Sequence, residues 1–437
     1  MEFLATIFMR LRIIISNIFL LLIPAALLSS NPLWAAPEDT VQPYVSTSIT
    51  HDDNLLRLPK DVDPVAVSGQ PSAADTIKQG TVGIKVDWKQ GRQEVILDGS
   101  VSESRHDRFT SLDNRARNLQ SRWNFQLGNT VAGNVGYNRV TNLASFAELQ
   151  RLVNNISTQQ SKFADGAWRV NPSLRVNGAV THATYSLAGN SVYENNFMSY
   201  MAGAYFTPRT GNEIGIQGLR QVQKYPVLEA FSGVRVDNGF TQNQLLGTIN
   251  WQYSGHIGFK GQAGVVSRTH NQLSARDFSG STMRGTITWF PGGKGQVDFT
   301  GWNEIDAYDN LTTSYTRSKG FSLGPAWNPT GKLSVSAQWR YLERDYLGDP
   351  VVKLFPDLSI PIRRDTTRSA SLALKYQPMR SVNISASIQN ERRRSNQLSV
   401  NDPTSDPFVI SHFRRLSSGS KPSYADNSIS LAVTFWF

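Results

Sequence analysis

The chain of 437 residues contains no cysteine. This absence excludes disulfide bonds, thiolate metal sites and lipid attachment through an N-terminal cysteine. Histidine is scarce as well, and the six histidines are scattered without the paired spacing of a metal site. The G-x-S-x-G, P-loop and H-E-x-x-H patterns are missing too. We therefore expect neither an enzyme nor a bound cofactor.

Two polar groups raise other possibilities. His106-Asp107 lies near serines and could belong to a hydrolase site, but residues of these types also fall together by chance. Asp52-Asp53-Asn54 gathers oxygen atoms that suit Ca²⁺, yet the segment lacks the spaced carboxylates and bidentate glutamate of a dedicated calcium loop. We predict no metal site.

Long hydrophobic runs are absent beyond the N-terminus, and the mean hydropathy is −0.33. The exception is residues 13–28, a run of about sixteen residues broken by Pro24, whereas a membrane-spanning helix needs about twenty. A helical membrane anchor is therefore the weaker interpretation of this run.

A signal peptide is the stronger one. Arg10 and Arg12 precede the apolar run, and small residues follow it. We place the cleavage after Ala35, because a cut after Ala36 would leave Pro37 directly beyond the scissile bond. The sequence thus predicts a signal peptide over residues 1–35 and an exported chain over residues 36–437.

The last ten residues alternate between two faces of a β-strand. One face is fully apolar: Ile429, Leu431, Val433, Phe435 and Phe437. Such a strand would be an exposed edge in a soluble protein, although the last strand of a β-sandwich is an alternative. In a closed membrane barrel it pairs on both sides and turns its apolar face to lipid. Phe435 and Phe437 also resemble the terminal signal read by the bacterial outer-membrane assembly machinery.

The same alternation recurs along the chain, for example over residues 81–88, 333–341 and 382–389. Strand pairs are joined by short turns rich in glycine, proline and asparagine, within units of roughly 37 to 49 residues. The turns fall at residues 89–92, 127–130, 170–173, 208–212, 254–256, 291–295, 328–331 and 377–380. The count is about eighteen strands, with about sixteen as the lower figure. We predict a single all-β transmembrane antiparallel barrel in the outer membrane.

Aromatic residues precede most of these turns: Trp88, Trp168, Phe206, Tyr253, Phe290, Trp327 and Tyr376. A ring repeated at the same strand end is typical of the interfacial girdle of a barrel. A β-propeller is the alternative, but a blade would need four strands in each unit and only two are present. Two segments, 162–168 and 319–327, alternate poorly, and Pro325 must lie where no ladder bond is made.

With apolar side chains outward, the inward set is polar and carries a modest excess of basic residues. Its basic members are Lys85, Arg122, Arg175, Lys260, Arg284, Arg340 and Lys375. Such a wall suits neutral or acidic solutes, because rings of charge select the ions that pass. The plainer interpretation is that these residues only solvate a channel and pair across strands.

The formal net charge of +10 suggests nucleic acid, but the basic residues are spread along an exported chain, and we predict no nucleic-acid partner. Many arginines fall in predicted loops, where they could bind the phosphates of lipopolysaccharide. These are Arg105, Arg108, Arg115, Arg117, Arg363, Arg364, Arg368, Arg392, Arg393, Arg394, Arg414 and Arg415. The expected partners are outer-membrane lipid, lipopolysaccharide and the assembly machinery.

The opening strand runs from Tyr44 into Asp52-Asp53-Asn54-Leu55-Leu56-Arg57-Leu58-Pro59. This D-[DS]-N-[LI]-[LF]-R-L element resembles the start of the EpsL family, outer-membrane barrels of exopolysaccharide operons associated with exosortase/PEP-CTERM systems. Asp52, Asp53, Asn54 and Arg57 carry most of the resemblance. Weaker similarities follow in order at residues 91–93, 106–109, 112–114 and 145–147, and in the terminal aromatic strand.

The resemblance implies a part in the synthesis or export of an extracellular polysaccharide, with polysaccharide export components as partners. It supplies no catalytic residues. We expect a passage or accessory for polymer secretion, with a porin for small anionic or sugar solutes and a plugged docking barrel as alternatives. Two observations weigh against the porin: the longest insertion, Asp52–Gln79, comes too early to be an inward loop, and the loop around Arg392-Arg393-Arg394-Ser395 offers no acidic cluster.

Overall fold

The structure is a computed structural model that describes residues 40–149, 152–188, 194–208, 211–231, 234–272, 274–310, 313–347, 362–396 and 422–437. The signal peptide and its cleavage after Ala35 lie outside these residues and stay predictions. Within the described ranges, no helix has the length and apolar character to cross a membrane.

Strands make up most of the described chain. They are β1 (Val41–Asp52), β2 (Asp75–Gln90), β3 (Gln93–His106), β4 (Asn114–Leu127), β5 (Val131–Leu143), β6 (Ile156–Asn171), β7 (Leu174–Leu187), β8 (Asn195–Phe206), β9 (Glu213–Lys224), β10 (Glu229–Phe231), β11 (Val234–Val236), β12 (Phe240–Gln252), β13 (Ile257–His270), β14 (Phe278–Gly292), β15 (Gly295–Asn310), β16 (Thr313–Thr330), β17 (Leu333–Leu347), β18 (Arg364–Met379), β19 (Val382–Ser395) and β20 (Tyr424–Trp436). The helices α1 (Pro64–Ser68) and α2 (Phe146–Leu149) are short, as are two 3-10 turns, Thr110–Leu112 and Ser274–Arg276.

Eighteen of the strands form one closed antiparallel sheet, and β10 pairs with β11 in a separate two-stranded sheet. Closure occurs where β1 pairs with β20, from Tyr44 opposite Trp436 to Asp52 opposite Ser428. A closed sheet leaves no edge with unpaired backbone groups. The predicted all-β barrel and its strand count are confirmed.

All eight predicted short turns connect strands at one end of the barrel, where the first strand also begins and the last one ends. Gly91, Gly128 and Gly211 in these turns have φ values of 59°, 60° and 78°. Glycine adopts this left-handed conformation without the steric cost of a Cβ atom. Short turns face the periplasm in bacterial outer-membrane barrels, so this is the periplasmic end.

Side chains alternate between a lipid side and a lumen side. On β2, Val82, Ile84 and Trp88 are exposed on the outside, while Lys85 lies on the opposite face. Exposed aromatics ring the periplasmic end as predicted, except that Phe290 is half-buried and its neighbour Trp289 takes the outward place. An apolar outer surface on a closed barrel is stable only in lipid, and the chain lies in the outer membrane.

The two poorly alternating segments are parts of regular strands, 162–168 in β6 and 319–327 in β16. In the ladder between β16 and β17, Leu323 lies opposite Trp339 and Ala326 opposite Ser336, with no partner for Pro325 between them. Pro325 thus has no partner in the ladder with β17, but it lies opposite Val297 in the ladder with β15, so the expectation that it makes no ladder bond is met on the β17 side only. The register with β17 continues unchanged beyond it.

The main apolar core lies at the loop end of the barrel. It joins the first loop (residues 53–74), the second (107–113) and the third (144–155). We call its buried side chains the mouth cluster: Leu55, Leu56, Leu58, Ala73, Phe109, Leu112 and Phe146. Polar contacts reinforce it, since Phe109 N donates to Asp75 Oδ2 at 2.9 Å and Asn154 Nδ2 donates to Ser111 O at 2.9 Å.

Phe437 stabilises the periplasmic end of the seam, the pairing of β1 with β20. Its backbone N–H donates a hydrogen bond to Pro43 O at 2.9 Å. We expect Phe437→Ser, or deletion of Phe437, to lower the outer-membrane level several-fold while the signal peptide is still removed. Assembly recognition and closure both use this strand. The control is Phe437→Trp, which retains an aromatic terminus. Gel mobility before and after boiling reports the folded barrel, and a normal amount of folded Phe437→Ser protein would contradict the expectation.

Candidate functional site

The seven basic residues predicted to face the lumen all lie on the inward face of their strands. Lys85 is opposite Asp98, and Lys260 is opposite Asn250 and Thr286. Lys375 is opposite Ser334 and Ser385. Each is flanked along its own strand by residues of the outward face. Two of the seven, Arg284 and Arg340, come together at one aromatic side chain.

These two arginines flank one aromatic ring. The guanidinium carbon of Arg284 lies 5.2 Å from the centre of the Trp302 ring, and that of Arg340 lies 5.1 Å from it. Both contacts are within cation–π range. Trp302 is only 7% exposed, and Gly320 on the next strand leaves the space into which its indole leans. The inner wall of β14–β17 therefore presents two guanidinium groups stacked on one buried indole.

A cavity of about 200 Å³ lies beside this surface, under the third loop. It is lined by Ala147, Arg340, Leu342, Arg344, Tyr346, Asp365, Thr367, Ser369, Glu391, Arg393 and Tyr424. Arg393 of β19 donates from Nη2 to the carbonyl oxygen of Ala147. The third loop thus projects inward from β5 and β6 and is bound to β19, which is not adjacent to either of these strands.

The two cavity carboxylates already have partners. Asp365 accepts hydrogen bonds from Arg363 Nη2 at 2.6 Å and Tyr346 Oη at 3.0 Å, and Glu391 accepts one from Tyr424 Oη. Within the described part of the chain, neither Arg340 nor Arg344 lies in ion-pair range of a carboxylate. The Arg344 Nε atom is also buried without a hydrogen-bond acceptor there. The cavity therefore offers positive charge to a solute.

Two basic residues of the inner wall are paired with glutamates. Arg175 Nη2 pairs with Glu213 Oε2 at 2.5 Å and lies 4.7 Å from the centre of the Tyr205 ring. Arg284 is bound by Glu304 through two hydrogen bonds of 2.8 and 2.5 Å. For these residues the plainer interpretation, pairing across strands, fits the geometry.

The opening element forms a cluster of charged and polar side chains at the barrel seam. Asp52, Asp53 and Asp426 lie together, but Arg57 Nη1 contacts Asp52 Oδ2 and Asp426 Oδ1, each at 2.9 Å. Arg57 has φ of 58°, and Asn54 Nδ2 donates to Leu58 O at 2.8 Å and to Ala425 O at 2.9 Å. The guanidinium supplies the positive charge that a cation would otherwise bring.

The second loop is also stabilised by an aspartate at its end. His106 N donates to Asp113 Oδ1 at 2.7 Å, and this hydrogen bond, together with Arg105, holds the pKa of the Asp113 carboxyl below its usual value. The same arrangement recurs across the barrel, where His270 N donates to Asp277 Oδ1 at 2.7 Å. In both places a 3-10 turn lies between the two residues.

Two expectations about loops are wrong. Arg392, Arg393 and Arg394 belong to β19, because strand pairing continues well above the apolar belt, and Arg364 and Arg368 belong to β18 for the same reason. Arg105, Arg115 and Arg117 likewise lie in strands, while Arg414 and Arg415 fall outside the described residues. The first loop is residues 53–74 rather than Asp52–Gln79, and the third loop is the one anchored inside.

Sequence reasoning missed Trp302, Arg344 and Arg393 as lumen residues. Alternation with Phe299 on β15 and with Trp339 on β17 was a sufficient signal for the inward placement of Trp302 and Arg344. No signal in the sequence pairs Arg393 with Ala147, which is 246 residues away.

No protein-family model matches the chain, and no curated protein does. Solved structures of bacterial porins are similar in architecture. OccK2 (OpdF) of Pseudomonas aeruginosa has a TM-score of 0.49 at 12% identity, with 92% of this chain and 99% of that chain covered. A BenF-like porin from Pseudomonas fluorescens Pf-5 has a TM-score of 0.49 at 11% identity, with 91% and 99% covered. These TM-scores and sequence identities carry no information about the solutes of this barrel.

Gly320 allows Trp302 to lie between the arginines. A Cβ atom at this position would overlap Tyr341 O and lie 2.6 Å from Trp302 Cζ2. We expect Gly320→Ala to destabilise the barrel by about 1–3 kcal/mol, because the added methyl group overpacks the wall. Urea unfolding followed by tryptophan fluorescence measures the change. The control is Gly301→Ala on β15, where an added Cβ meets nothing within 4 Å. Equal midpoints for the two variants would contradict this placement of Trp302.

Proposed function

We propose that this outer-membrane barrel is a diffusion channel for small acidic solutes, with acidic saccharides as the favoured class. The observation that supports it most strongly is the pair of arginines, Arg340 and Arg344, on the cavity wall under the inward loop. Both lack a carboxylate partner among the described residues. Fixed positive charge in a narrow, partly desolvated passage lowers the free energy of an anion there and raises that of a cation.

Hydroxyl groups beside the arginines favour saccharides among acidic solutes. Thr367, Ser369 and Tyr424 line the same cavity as Arg340 and Arg344, whereas Trp302 is buried and positions the arginines. Side-chain hydroxyl groups exchange hydrogen bonds with the hydroxyl groups of a sugar, while the carboxylate of an acidic sugar meets a guanidinium in bidentate geometry. The inward third loop narrows the passage at this level, which suits small solutes better than a polymer.

Neutralising the unpaired arginines tests this function. We expect the double variant Arg340→Gln, Arg344→Gln to fold normally, because lumen substitutions tune selectivity and charges on the lipid face are the ones that cost folding energy. Its reversal potential in planar bilayers should shift toward cation preference. Liposome swelling should slow for galacturonate and stay the same for galactose.

The matched control is Arg105→Gln, Arg115→Gln, which removes the same charge from outward positions at the loop end, where both residues face Glu103. This control should leave ion preference and swelling unchanged. If the inner double variant is folded by gel mobility and still has wild-type ion preference, the cavity does not line the conducting path and the channel proposal fails.

We propose participation in exopolysaccharide export as a second candidate function. Its support is the resemblance of the opening element to the EpsL family, together with the contact between that element and the terminal strand through Arg57 and Asp426. In this function the partners are polysaccharide export components.

A deletion strain separates the two functions. If the barrel serves export, loss of the gene should reduce secreted polysaccharide and leave polymer or its precursors in the periplasm, and the wild-type gene should restore secretion. Uptake of galacturonate is measured in the same strains. Unchanged secretion with reduced uptake would reject the export function and retain the channel.

A further inference from the structure

A second cavity lies on the outside of the barrel, between the first loop and the outer wall of β17–β20. Its volume is about 1090 Å³. One side is formed by residues 53–73 of the first loop, and the other by outward side chains including Trp339, Tyr341 and Arg368. We call it the rim groove. It is separate from the lumen cavity, because these strand residues alternate with the inward ones.

The rim groove lies at the boundary between the apolar belt and the polar loop end. On β18 the outward residues change from Leu372, which is 49% exposed, to Ala370 and then Arg368. On β19 the outward series passes from Ile388 through Asn390 to Arg392 and Arg394. Trp339 and Tyr341 lie at the same level, where interfacial aromatics are favoured. The floor of the groove therefore meets the lipid headgroups of the outer leaflet.

The charge of the groove is strongly positive. Arg368, Arg392, Arg394 and Lys60 line it, against the single carboxylate of Asp53. Asp53 already accepts hydrogen bonds from Asn427 N at 2.7 Å and Asn427 Nδ2 at 2.6 Å. Among the described residues, no carboxylate is in ion-pair range of the three groove arginines. Arg368 instead lies 5.8 Å from the centre of the Tyr341 ring.

Other basic residues at the outward loop end are held by acidic neighbours. Lys78 pairs with Asp107 at 2.8 Å, Arg115 faces Glu103 at 3.7 Å, and Arg364 pairs with Asp345 at 2.6 Å. The groove thus differs from the surrounding rim in its charge balance as well as its shape. Clustered guanidinium groups without carboxylates are the usual means of binding phosphate.

We propose that the rim groove binds the phosphorylated headgroup of a lipopolysaccharide molecule from the outer leaflet. Arg368, Arg392 and Arg394 contact the phosphate oxygens, and Tyr341 and Trp339 pack beside the upper part of the acyl chains. The first loop covers the sugar portion from the outside. A bound lipid of this kind holds the first loop against the outer wall next to the barrel seam.

The test uses the mature protein, folded in detergent and stripped of bound lipid. Native mass spectrometry measures binding of diphosphoryl lipid A and of the same lipid after both phosphates are removed. We expect the dephosphorylated lipid to bind the wild-type protein about tenfold more weakly, because charge-assisted hydrogen bonds to phosphate are lost. Equal binding of the two lipids to the wild-type protein would overturn the proposal without the need for any variant.

The variant Arg368→Gln, Arg392→Gln, Arg394→Gln should lose the preference for the phosphorylated lipid by about the same factor. The control Lys78→Gln, Arg105→Gln, Arg115→Gln removes three positive charges from the paired rim and should keep that preference. An equal loss in both variants would show general charge attraction and overturn the site. Inorganic phosphate in excess should fail to displace the lipid, and displacement would assign the groove to free anions instead.

Discussion

Every backbone N–H and C=O group that crosses the bilayer must find a partner within the sheet, and the whole barrel depends on the one pairing that closes it. β1 and β20 come from opposite ends of the described chain, so no hairpin turn holds them together. Both ends of this seam are fastened. At the periplasmic end Tyr44 contacts Trp436, with ring centres 4.7 Å apart. At the loop end Arg57 joins Asp52 to Asp426.

The residues of the opening element stabilise the pairing of β1 with β20. Asp52 ends β1, and Arg57 turns back in a left-handed conformation to reach both carboxylates. The guanidinium is only 22% exposed, which limits the screening of these ion pairs by water. Such an element fixes the register of the last strand and sets the starting direction of the first loop. Its residues therefore have a structural role at the closure of the barrel.

Much of the fold can be predicted because strands and short turns are specified by residues close together in the sequence. Period-two alternation marks strands such as 333–341, and glycine, proline and asparagine mark the short turns. Parity then assigns Lys85 or Arg340 to the lumen without knowledge of neighbouring strands. The candidate site needs more than parity. Arg284, Trp302 and Arg340 come from β14, β15 and β17. The contact between them depends on the register of these strands and on the absence of a side chain at Gly320.

Loop boundaries fail for a different physical reason. Above the bilayer the outward face no longer needs apolar residues, so the alternation that reveals a strand disappears while its hydrogen bonds continue. Arg364 and Arg368 therefore have the sequence pattern of a loop although both lie in the ladder with β17. The third loop presents a further limit, since its anchor on Arg393 spans most of the chain.

The three consecutive arginines of β19 show how one strand serves two surfaces. Arg393 points inward, is 5% exposed and donates to Pro422 O at 2.6 Å as well as to the third loop. Arg392 and Arg394 point outward into the rim groove. A slip of one residue in register would exchange these faces and leave the inward loop without its anchor. The register fixed at the seam, one strand away, thus determines both the charge of the lumen cavity and the charge that the barrel presents to the outer leaflet.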